Sequence, residues 1–195
     1  MLERCAIRYQ GVGRSLWFRG TAVPTRVADL VATLPQWHQG DAWSGVGLAA
    51  AYAGGVSPEG LATLRARCGA HAGDLGQGVA FAAAAWQRSG WTPPELATTV
   101  HALTGTDPRT AADWTREAEA GLRTPATGPV EYQPWRQRIR AACCSRRSDP
   151  PATIRGEPVP SAVRRTLVPA LALLLCVVAG LFTRLPSVSA SDADA

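Results

Sequence analysis

The side chains that most often do chemistry in proteins are scattered along this chain of 195 residues. The histidines, His38, His71 and His101, lack the mutual spacing of a local metal-binding motif. The five cysteines include no Cys-x-x-Cys pair, and the adjacent Cys143 and Cys144 do not suit a zinc site. We therefore predict no metal ion, no cofactor and reduced structural thiols, with lipid attachment at Cys143 and Cys144 as the alternative.

Serine and carboxylate side chains also lack the sequence context that catalysis needs. Ser44 is not surrounded by a Gly-x-Ser-x-Gly motif. Asp113 and Glu117 stand at i and i+4 of a predicted helix, where two carboxylates could bind a metal ion, but a solvated helix face is the favoured interpretation. The sequence consequently names no catalytic residue and leaves open whether the chain is an enzyme.

The first glycine-containing motif runs from Gly11 to Phe18 and reads GVGRSLWF. It is not a phosphate-binding loop, because it has no Gly-Lys-Ser/Thr ending and no six-position dinucleotide pattern after a strand. We interpret it as a glycine turn that leads into core aromatic residues. The functional alternative places Arg14 in an anion site.

The second motif belongs to a predicted helix with one almost bare face. Its small residues recur at i, i+4 and i+8, and they are Gly45, Ala49 and Ala53. This spacing predicts close packing against another helix, with Asp41 as the N-cap. A ligand crevice walled by Trp43 and Tyr52 is the alternative interpretation.

The third motif, Gly76 to Phe81, has a similar amino-acid composition. It combines small residues with one amide side chain, Gln77, and one aromatic side chain, Phe81. Buried polar groups need hydrogen-bond partners, so we predict that Gln77 is a buried hydrogen-bonding group.

Helix signals are frequent along the chain, and strand signals are nearly absent. Helix N-termini are predicted where a capping residue precedes proline, at Ser57, Thr92 and Asp107. Helix C-termini are predicted at Gly69, Gly90 and Gly105. Residues 4–10 could form a short strand or a helix end, and the sequence leaves both open. We predict an all-α fold, a compact multi-helix domain built as a helical array without a clean internal repeat.

The net charge of +5 is unevenly distributed. Residues 1–130 are nearly neutral, and the positive excess falls in residues 131–165. A dedicated nucleic-acid-binding domain carries a basic stripe on its folded surface. We therefore predict no nucleic-acid partner.

The C-terminal part contains one long apolar run, from Leu167 to Phe182, preceded by Arg164 and Arg165. With its flanking threonines it predicts a transmembrane helix over residues 166–183. The positive-inside rule then predicts a single-pass protein of the bacterial inner membrane, with the domain on the cytoplasmic side. The alternatives are a buried apolar helix of a cytoplasmic protein and a fused signal-like sequence.

Five motifs, taken in order, make the chain resemble a family of unknown function that is encoded beside iterative polyketide synthases in enediyne gene clusters. The motifs are 11–18 (GVGRSLWF), 43–49 (WSGVGLA), 52–55 (YAGG), 77–82 (QGVAFA) and Trp135-Arg136. The resemblance extends from about Arg8 to Arg140 and corresponds to the C-terminal half of the family's members. The chain departs from the family's pattern at Ala84 and Trp86, where Lys and Arg are expected.

These features divide the chain into four predicted segments. They are an enediyne-biosynthesis-like helical domain, truncated at its N-terminus (1–140), a basic Pro/Arg-rich linker (141–165), the transmembrane helix (166–183) and a short polar tail (184–195).

The resemblance implies an accessory protein of enediyne polyketide biosynthesis that holds or processes an apolar polyketide intermediate. Its implied partners are the polyketide synthase machinery or its apolar product, besides the membrane reached by the C-terminal helix. The candidate ligand-binding residues are Arg14, Trp17, Phe18, Trp43, Tyr52, Gln77 and Phe81. The alternatives are a membrane-anchored interaction module and an inactive, truncated family member.

Overall fold

The computed structural model describes residues 2–122 and 131–145, which lie within Met1–Pro151, the first of the two units into which the chain divides. The described residues form eight α-helices and no strand, which confirms the prediction of an all-α domain. The helices are α1 (Leu2–Arg19), α2 (Pro24–Ala32), α3 (Gln36–Ala53), α4 (Pro58–Cys68), α5 (Ala72–Ser89), α6 (Leu96–Thr104), α7 (Pro108–Glu119) and α8 (Tyr132–Ser145).

Helices α1 to α7 form two layers. The odd-numbered helices pack side by side in the order α1, α3, α5, α7, and α2, α4 and α6 pack side by side in the second layer. Helix α8 packs on the odd layer, mainly against α5 and α7. An alternation of this kind is typical of stacked helical hairpins, in which each hairpin contacts chiefly its neighbours.

The prediction that the array has no clean internal repeat is wrong. Residues 38–51 (HQGDAWSGVGLAAA) align with residues 71–84 (HAGDLGQGVAFAAA). Residues 10–13 (QGVG) differ by one residue from the centre of each, 44–47 (SGVG) and 77–80 (QGVA). The intervals between the copies are 34 and 33 residues, the length of one helical hairpin with its turns. The repeat is hard to see in the sequence because the shared residues are mostly Gly and Ala, which are common throughout the chain.

Glycines in this repeat let the odd helices approach closely. A Cβ atom added at any of four glycines would collide with a main-chain carbonyl oxygen of the neighbouring helix. The four pairs are Gly13 with Ala42, Gly45 with Gln10, Gly47 with Leu75, and Gly78 with Ser44. The α1–α3 and α3–α5 interfaces therefore use equivalent residues. The prediction of close helix packing at Gly45 and Ala49 is confirmed, whereas Ala53 at the helix end is exposed.

Two of the three predicted N-caps are confirmed. Ser57 Oγ accepts a hydrogen bond from Gly60 N at 3.2 Å, and Asp107 Oδ1 accepts one from Thr110 N at 2.9 Å. The third, Thr92, is wrong because Pro94 disfavours helical backbone at the residue before it, Pro93, so α6 begins only at Leu96. The predicted C-termini are confirmed, since each has positive φ at a glycine: Gly69, Gly90 and Gly105.

Two local predictions are wrong in the same way. The expected turn after Gly11 belongs to the long helix α1, as do residues 4–10, for which the sequence leaves a helix end open as one of two alternatives. Asp41 lies inside α3 and not at its N-cap, because α3 begins at Gln36. Glycine lowers helix propensity, but here the close packing of α1 on α3 requires it, so tertiary contact overrides propensity.

The predicted boundary at residue 140 cuts through α8, which continues to Ser145. The remainder of the predicted linker, the span over residues 166–183 with Leu167 and Phe182, and the tail lie outside the described residues. The membrane-spanning helix in the predicted fold class is corrected: among residues 2–122 and 131–145, no helix is both long and apolar enough to cross a membrane.

Candidate functional site

Arg136 is fully buried, with 0% of its surface exposed. A buried guanidinium needs partners for its donors, since an unpaired charge away from water is strongly destabilising. Its Nη1 donates to Asp41 Oδ1 at 2.8 Å and to Gln133 Oε1 at 3.2 Å, and its Nε donates to Gln77 Oε1 at 3.2 Å. One side chain of α8 thereby joins α3 and α5.

A line of hydrogen bonds continues from Gln77 to α1. The Ser44 hydroxyl donates to Gln77 Oε1 at 2.6 Å, Gln10 Nε2 donates to Ser44 Oγ at 2.9 Å, and the Tyr132 hydroxyl donates to Gln10 Oε1 at 2.7 Å. Because arginine can only donate, Gln77 must present its oxygen, and this choice orients every other bond in the line. We call this set the buried polar network: Gln10, Asp41, Ser44, Gln77, Tyr132, Gln133 and Arg136.

Tyr132 enters the network in its neutral form. Burial raises the pKa of its hydroxyl, and the nearby Arg136 charge and the Gln10 hydrogen bond oppose this rise only in part. The Arg136 guanidinium lies 5.8 Å from the centre of the Tyr132 ring, within cation–π distance. The neutral hydroxyl can therefore donate to Gln10 at physiological pH.

Helix α8 repeats the same contact at the next hairpin. Arg140, one turn after Arg136, forms an ion pair with Asp74, which occupies in its repeat the position that Asp41 occupies in the previous one. Each aspartate also faces the histidine three residues earlier, with Nδ1 to Oδ2 distances of 3.5 Å for both His38–Asp41 and His71–Asp74. Two arginines at i and i+4 of α8 thus bind equivalent aspartates of successive repeats.

The other side of α8 is held by α7 through main-chain carbonyl groups. Trp135 Nε1 donates to Thr115 O at 2.7 Å, and Arg138 Nη1 donates to Ala118 O and Ala120 O at 3.1 and 2.9 Å. Helix α8 therefore bonds to all four odd-numbered helices, which fixes it across the array.

A groove of about 310 Å³ opens between α1, the start of α3, and α8. Its lining residues are Ala6, Trp37, Gly40, Asp41, Gln133, Gln137 and Arg140. Trp37 is 79% exposed at this groove, which is unusual for so large an aromatic side chain. Asp41 and Gln133 belong to both the groove and the buried polar network. The buried Gln133 Nε2 has no hydrogen-bond partner among the described residues.

This arrangement favours a ligand with oxygen acceptors and a flat or apolar part. Gln137 can donate from its side-chain amide, and Arg140 from its guanidinium. Trp37 offers an exposed ring face for stacking or apolar contact. The volume lies near the lower end of the range for small-molecule sites, about 300–1,000 Å³.

None of the seven ligand-binding residues predicted from the sequence lines the groove; one belongs to the buried polar network and one packs beside it. Gln77 is fully buried and hydrogen-bonded, which confirms its predicted structural role. Phe81 packs beside α8, with ring-centre distances of 4.9 Å to Trp135 and 6.3 Å to Tyr132.

The other five predicted residues are dispersed. Trp17 and Trp43 are core side chains, 1% and 3% exposed. Tyr52 stacks on Trp86 with 4.5 Å between ring centres, at the far end of α3. Arg14 and Phe18 are exposed on α1.

Sequence reasoning missed most of the network and the groove. Asp41 was predicted to be an N-cap, and Ser44 was considered only as a nucleophile and set aside. No role was predicted for Gln10, Gln133 or Trp37. The available signal was the repeat, since aligning the Gly-Val pairs places Gln10, Ser44 and Gln77 at one equivalent position.

In the described part of the chain, no group of three or more His, Cys, Asp or Glu residues could hold a metal ion. Asp113, one of the two carboxylates considered for a metal, instead accepts a hydrogen bond from the exposed Arg116 at 2.9 Å.

Comparison with known proteins shows that most of the described part of the chain matches one protein family. The family model described as "Protein of unknown function (DUF1702)" matches residues 4–143, a range that contains nearly all of the eight helices. No curated protein and no solved structure matches the chain. The family description names no pathway, so the enediyne resemblance stays a prediction.

Proposed function

We propose that this chain, which belongs to the DUF1702 family of proteins of unknown function, is an accessory protein of enediyne polyketide biosynthesis, the role that the resemblance of its motifs implies. In this role it holds a polyketide intermediate in the groove between α1, α3 and α8.

The observation that supports this proposal is the convergence of the motifs that carry the resemblance. Residues 43–49 contribute Ser44, residues 77–82 contribute Gln77, and the Trp135-Arg136 pair contributes Arg136, all within the buried polar network. The first motif contributes Gly13, which packs on α3 immediately beside Asp41. Motifs that are far apart in the sequence thus build one centre, as expected when they serve one site.

The chemistry of the groove fits the two parts of an unsaturated acyl chain. The exposed Trp37 ring provides apolar surface for hydrocarbon. Gln137 and Arg140 provide donors for a carboxylate or thioester carbonyl oxygen. The apolar intermediate expected from the resemblance would therefore be held by its oxygenated end.

The proposal is tested by deleting the gene in its bacterial host and measuring polyketide metabolites by mass spectrometry. We expect deletion to lower these metabolites and the unaltered gene to restore them. A Trp37→Ala/Gln137→Ala variant should not restore them, because it removes the ring face and one donor from the groove. Both side chains are exposed, so the fold should tolerate their loss.

The matched control is Trp91→Ala, which removes a tryptophan that is 55% exposed and lines neither the groove nor the network. It should restore the metabolites as the unaltered gene does. Unchanged metabolites after deletion would contradict the accessory role. Full restoration by the Trp37→Ala/Gln137→Ala variant would contradict the groove as the site.

A further inference from the structure

The charged side chains of the groove are already paired within the protein. Among the described residues that line the groove, only Asp41 and Arg140 carry a charge. Asp41 Oδ1 accepts a hydrogen bond from Arg136 Nη1 at 2.8 Å, and Arg140 forms an ion pair with Asp74. Two positive and two negative charges therefore balance, and these pairs leave no charge uncompensated for a ligand.

The Arg140–Asp74 pair lies directly at the groove wall. Asp74 comes close to the lining at Gly40, since its Oδ2 is 2.9 Å from the place where a Cβ atom of that glycine would stand. The Asp74 side chain is 14% exposed and the Arg140 side chain is 30% exposed. Because both partners are partly withdrawn from water, salt and solvent screen their attraction less than that of a surface pair.

A ligand carboxylate would disturb this balance. It would either take Arg140 away from Asp74 or share it and add a negative charge that nothing compensates. Removing one partner of a largely buried ion pair is strongly destabilising, because the other charge is left without compensation. Asp41 adds to the cost, since its own carboxylate belongs to the lining and repels an anion.

An uncharged carbonyl oxygen avoids both costs, since it needs only a hydrogen-bond donor. Gln137 is exposed at the groove and can donate from its side-chain amide. Arg140 has five N–H groups, so it can donate one to a carbonyl oxygen while it stays paired with Asp74. A neutral ligand therefore leaves both ion pairs intact.

Taking the groove as the site of the proposed function, we propose that it binds its ligand by an uncharged carbonyl, as in an ester, thioester or ketone, and disfavours a free carboxylate. The apolar part of the ligand lies on the Trp37 ring, and the carbonyl oxygen faces Gln137 and Arg140. The balanced ion pairs set this selectivity.

Two fluorescent probes that differ only at the oxygenated end test the selectivity. trans-Parinaric acid carries a conjugated tetraene and a carboxylate, and its methyl ester carries the same chain with a neutral carbonyl. Tetraene fluorescence reports binding to the full chain at pH 8, where carboxylates are ionised and imidazoles are ordinarily neutral. Binding at the groove is the part that is lost in Trp37→Ala/Gln137→Ala. For this part, we expect a lower dissociation constant for the ester than for the acid.

Asp74→Asn tests the cause of the selectivity. Asparagine keeps the size of the side chain and an oxygen acceptor for Arg140, but it removes the negative charge, so Arg140 becomes an uncompensated cation in the lining. The acid should then bind about tenfold more tightly than it binds the unaltered chain, whereas the ester should bind as before. Asp113→Asn is the matched control, because it removes a carboxylate from the Arg116 pair on α7, away from the groove.

Gln137→Arg changes the charge of the groove and leaves both ion pairs in place. Gln137 is exposed, so the fold should tolerate the substitution, and the added guanidinium gives the groove a positive charge. The affinity for the acid should again rise relative to the affinity for the ester. Circular dichroism checks that each variant retains its helices.

The outcomes separate this inference from the proposed function on which it rests. If the unaltered chain bound the acid as tightly as the ester or more tightly, the groove would stand as the site but the uncharged ligand would be overturned. The same holds if neither Asp74→Asn nor Gln137→Arg changed the ratio of the two affinities. If neither probe bound beyond the level of Trp37→Ala/Gln137→Ala, the proposed function itself would be contradicted, and this inference with it.

Discussion

Ser44 and Gln77 stand at equivalent positions of successive repeats, and the Ser44 hydroxyl donates to the Gln77 side-chain oxygen at 2.6 Å. The same position in the first repeat is Gln10, which donates to Ser44 at 2.9 Å. One repeat position thus forms a ladder of hydrogen bonds across three helices. Arg136 ends the ladder by donating to Gln77 from a different element. The repeat therefore supplies both the packing of the layer and the acceptor that binds α8.

Removing the Arg136 side chain should destabilise the fold strongly. In Arg136→Met, the carboxylate of Asp41, which is 15% exposed, loses its ion pair, and Gln77 loses one donor. Breaking a buried pair from one side costs about 3–5 kcal/mol, so we expect the free energy of unfolding to fall by about that amount. Urea denaturation followed by tryptophan fluorescence measures it.

The control for this prediction is Arg116→Met, which breaks an ion pair on the exposed side of α7. Surface ion pairs contribute about 0–1 kcal/mol, so this variant should unfold nearly as the unaltered chain does. If both variants lost the same free energy of unfolding, the contribution of Arg136 to stability would not depend on its burial.

Alanine at the equivalent glycines Gly11, Gly45 and Gly78 should have opposite effects in different repeats. In a helix interior, Gly→Ala usually stabilises by about 0.5–1 kcal/mol. Gly45→Ala and Gly78→Ala should instead lower the free energy of unfolding, because each new Cβ collides with a main-chain carbonyl oxygen. Gly11→Ala should give the usual gain, since its Cβ enters open space.

Thermal or urea unfolding checks this contrast. Three equivalent positions then receive one identical substitution, so differences in helix propensity cancel. Stabilisation by Gly45→Ala would mean that α1 and α3 do not approach as closely as described.

The sequence predicted the helices of this chain better than it predicted the contacts between them. Hydrophobic spacing and the caps at Ser57 and Asp107 are local signals, and they correctly indicated helices. The glycines of α1 and the position of Asp41 were misjudged because their roles depend on neighbours distant in the sequence. Gly13 is helical because α3 lies against it, and Asp41 faces a partner 95 residues away, Arg136.

The candidate site was predictable only in part for the same reason. Gln77 was identified because a lone amide among small residues must find partners in a core. Trp17 and Trp43 were assigned to a pocket because aromatic residues suit both cores and pockets, and composition does not distinguish these two environments. Trp37 had no neighbouring motif to single it out, and its exposure is a property of the tertiary structure.

Loss of the Asp107 cap should destabilise the fold at neutral pH and have less effect in acid. Asp107 accepts hydrogen bonds from Thr110 N and Thr110 Oγ1, and these bonds hold the pKa of its carboxyl below the ordinary value of 3.8. A lowered folded-state pKa gives stability that is present above the unfolded-state pKa and lost as pH falls through the folded-state pKa. Asp107→Ala should therefore cost about 1 kcal/mol at pH 7, and this difference should shrink as pH falls below 3.8.

Asp107→Asn provides the control, because asparagine is a comparable N-cap that does not titrate. Its stability relative to Asp107→Ala should stay constant over the same pH range. Urea denaturation at a series of pH values measures both variants. A cost of Asp107→Ala that is equally large in acid would contradict a role for the ionised carboxylate.

The neutral hydroxyl of Tyr132 should make the fold sensitive to alkaline pH. Burial raises the pKa of this group above its ordinary value of 10.0. A raised folded-state pKa contributes stability that is fully present below the unfolded-state pKa and is lost as pH rises through the folded-state pKa. Tyr132→Phe also leaves Gln10 Oε1 without its donor, at a cost of about 1 kcal/mol. The unaltered chain should consequently be more stable than Tyr132→Phe at pH 7, and its advantage should disappear as pH rises past 10.0.

Trp135→Phe is the matched control for Tyr132→Phe. It removes the neighbouring hydrogen bond of α8, from Trp135 Nε1 to Thr115 O, but no titrating group. Its cost should be the same at pH 7 and in alkali, which separates loss of a hydrogen bond from loss of a proton. If the cost of Tyr132→Phe were also independent of pH, the hydroxyl would titrate equally in the folded and unfolded chain. Tyr132 would then be accessible to water, and the link between α8 and Gln10 could not be a buried one.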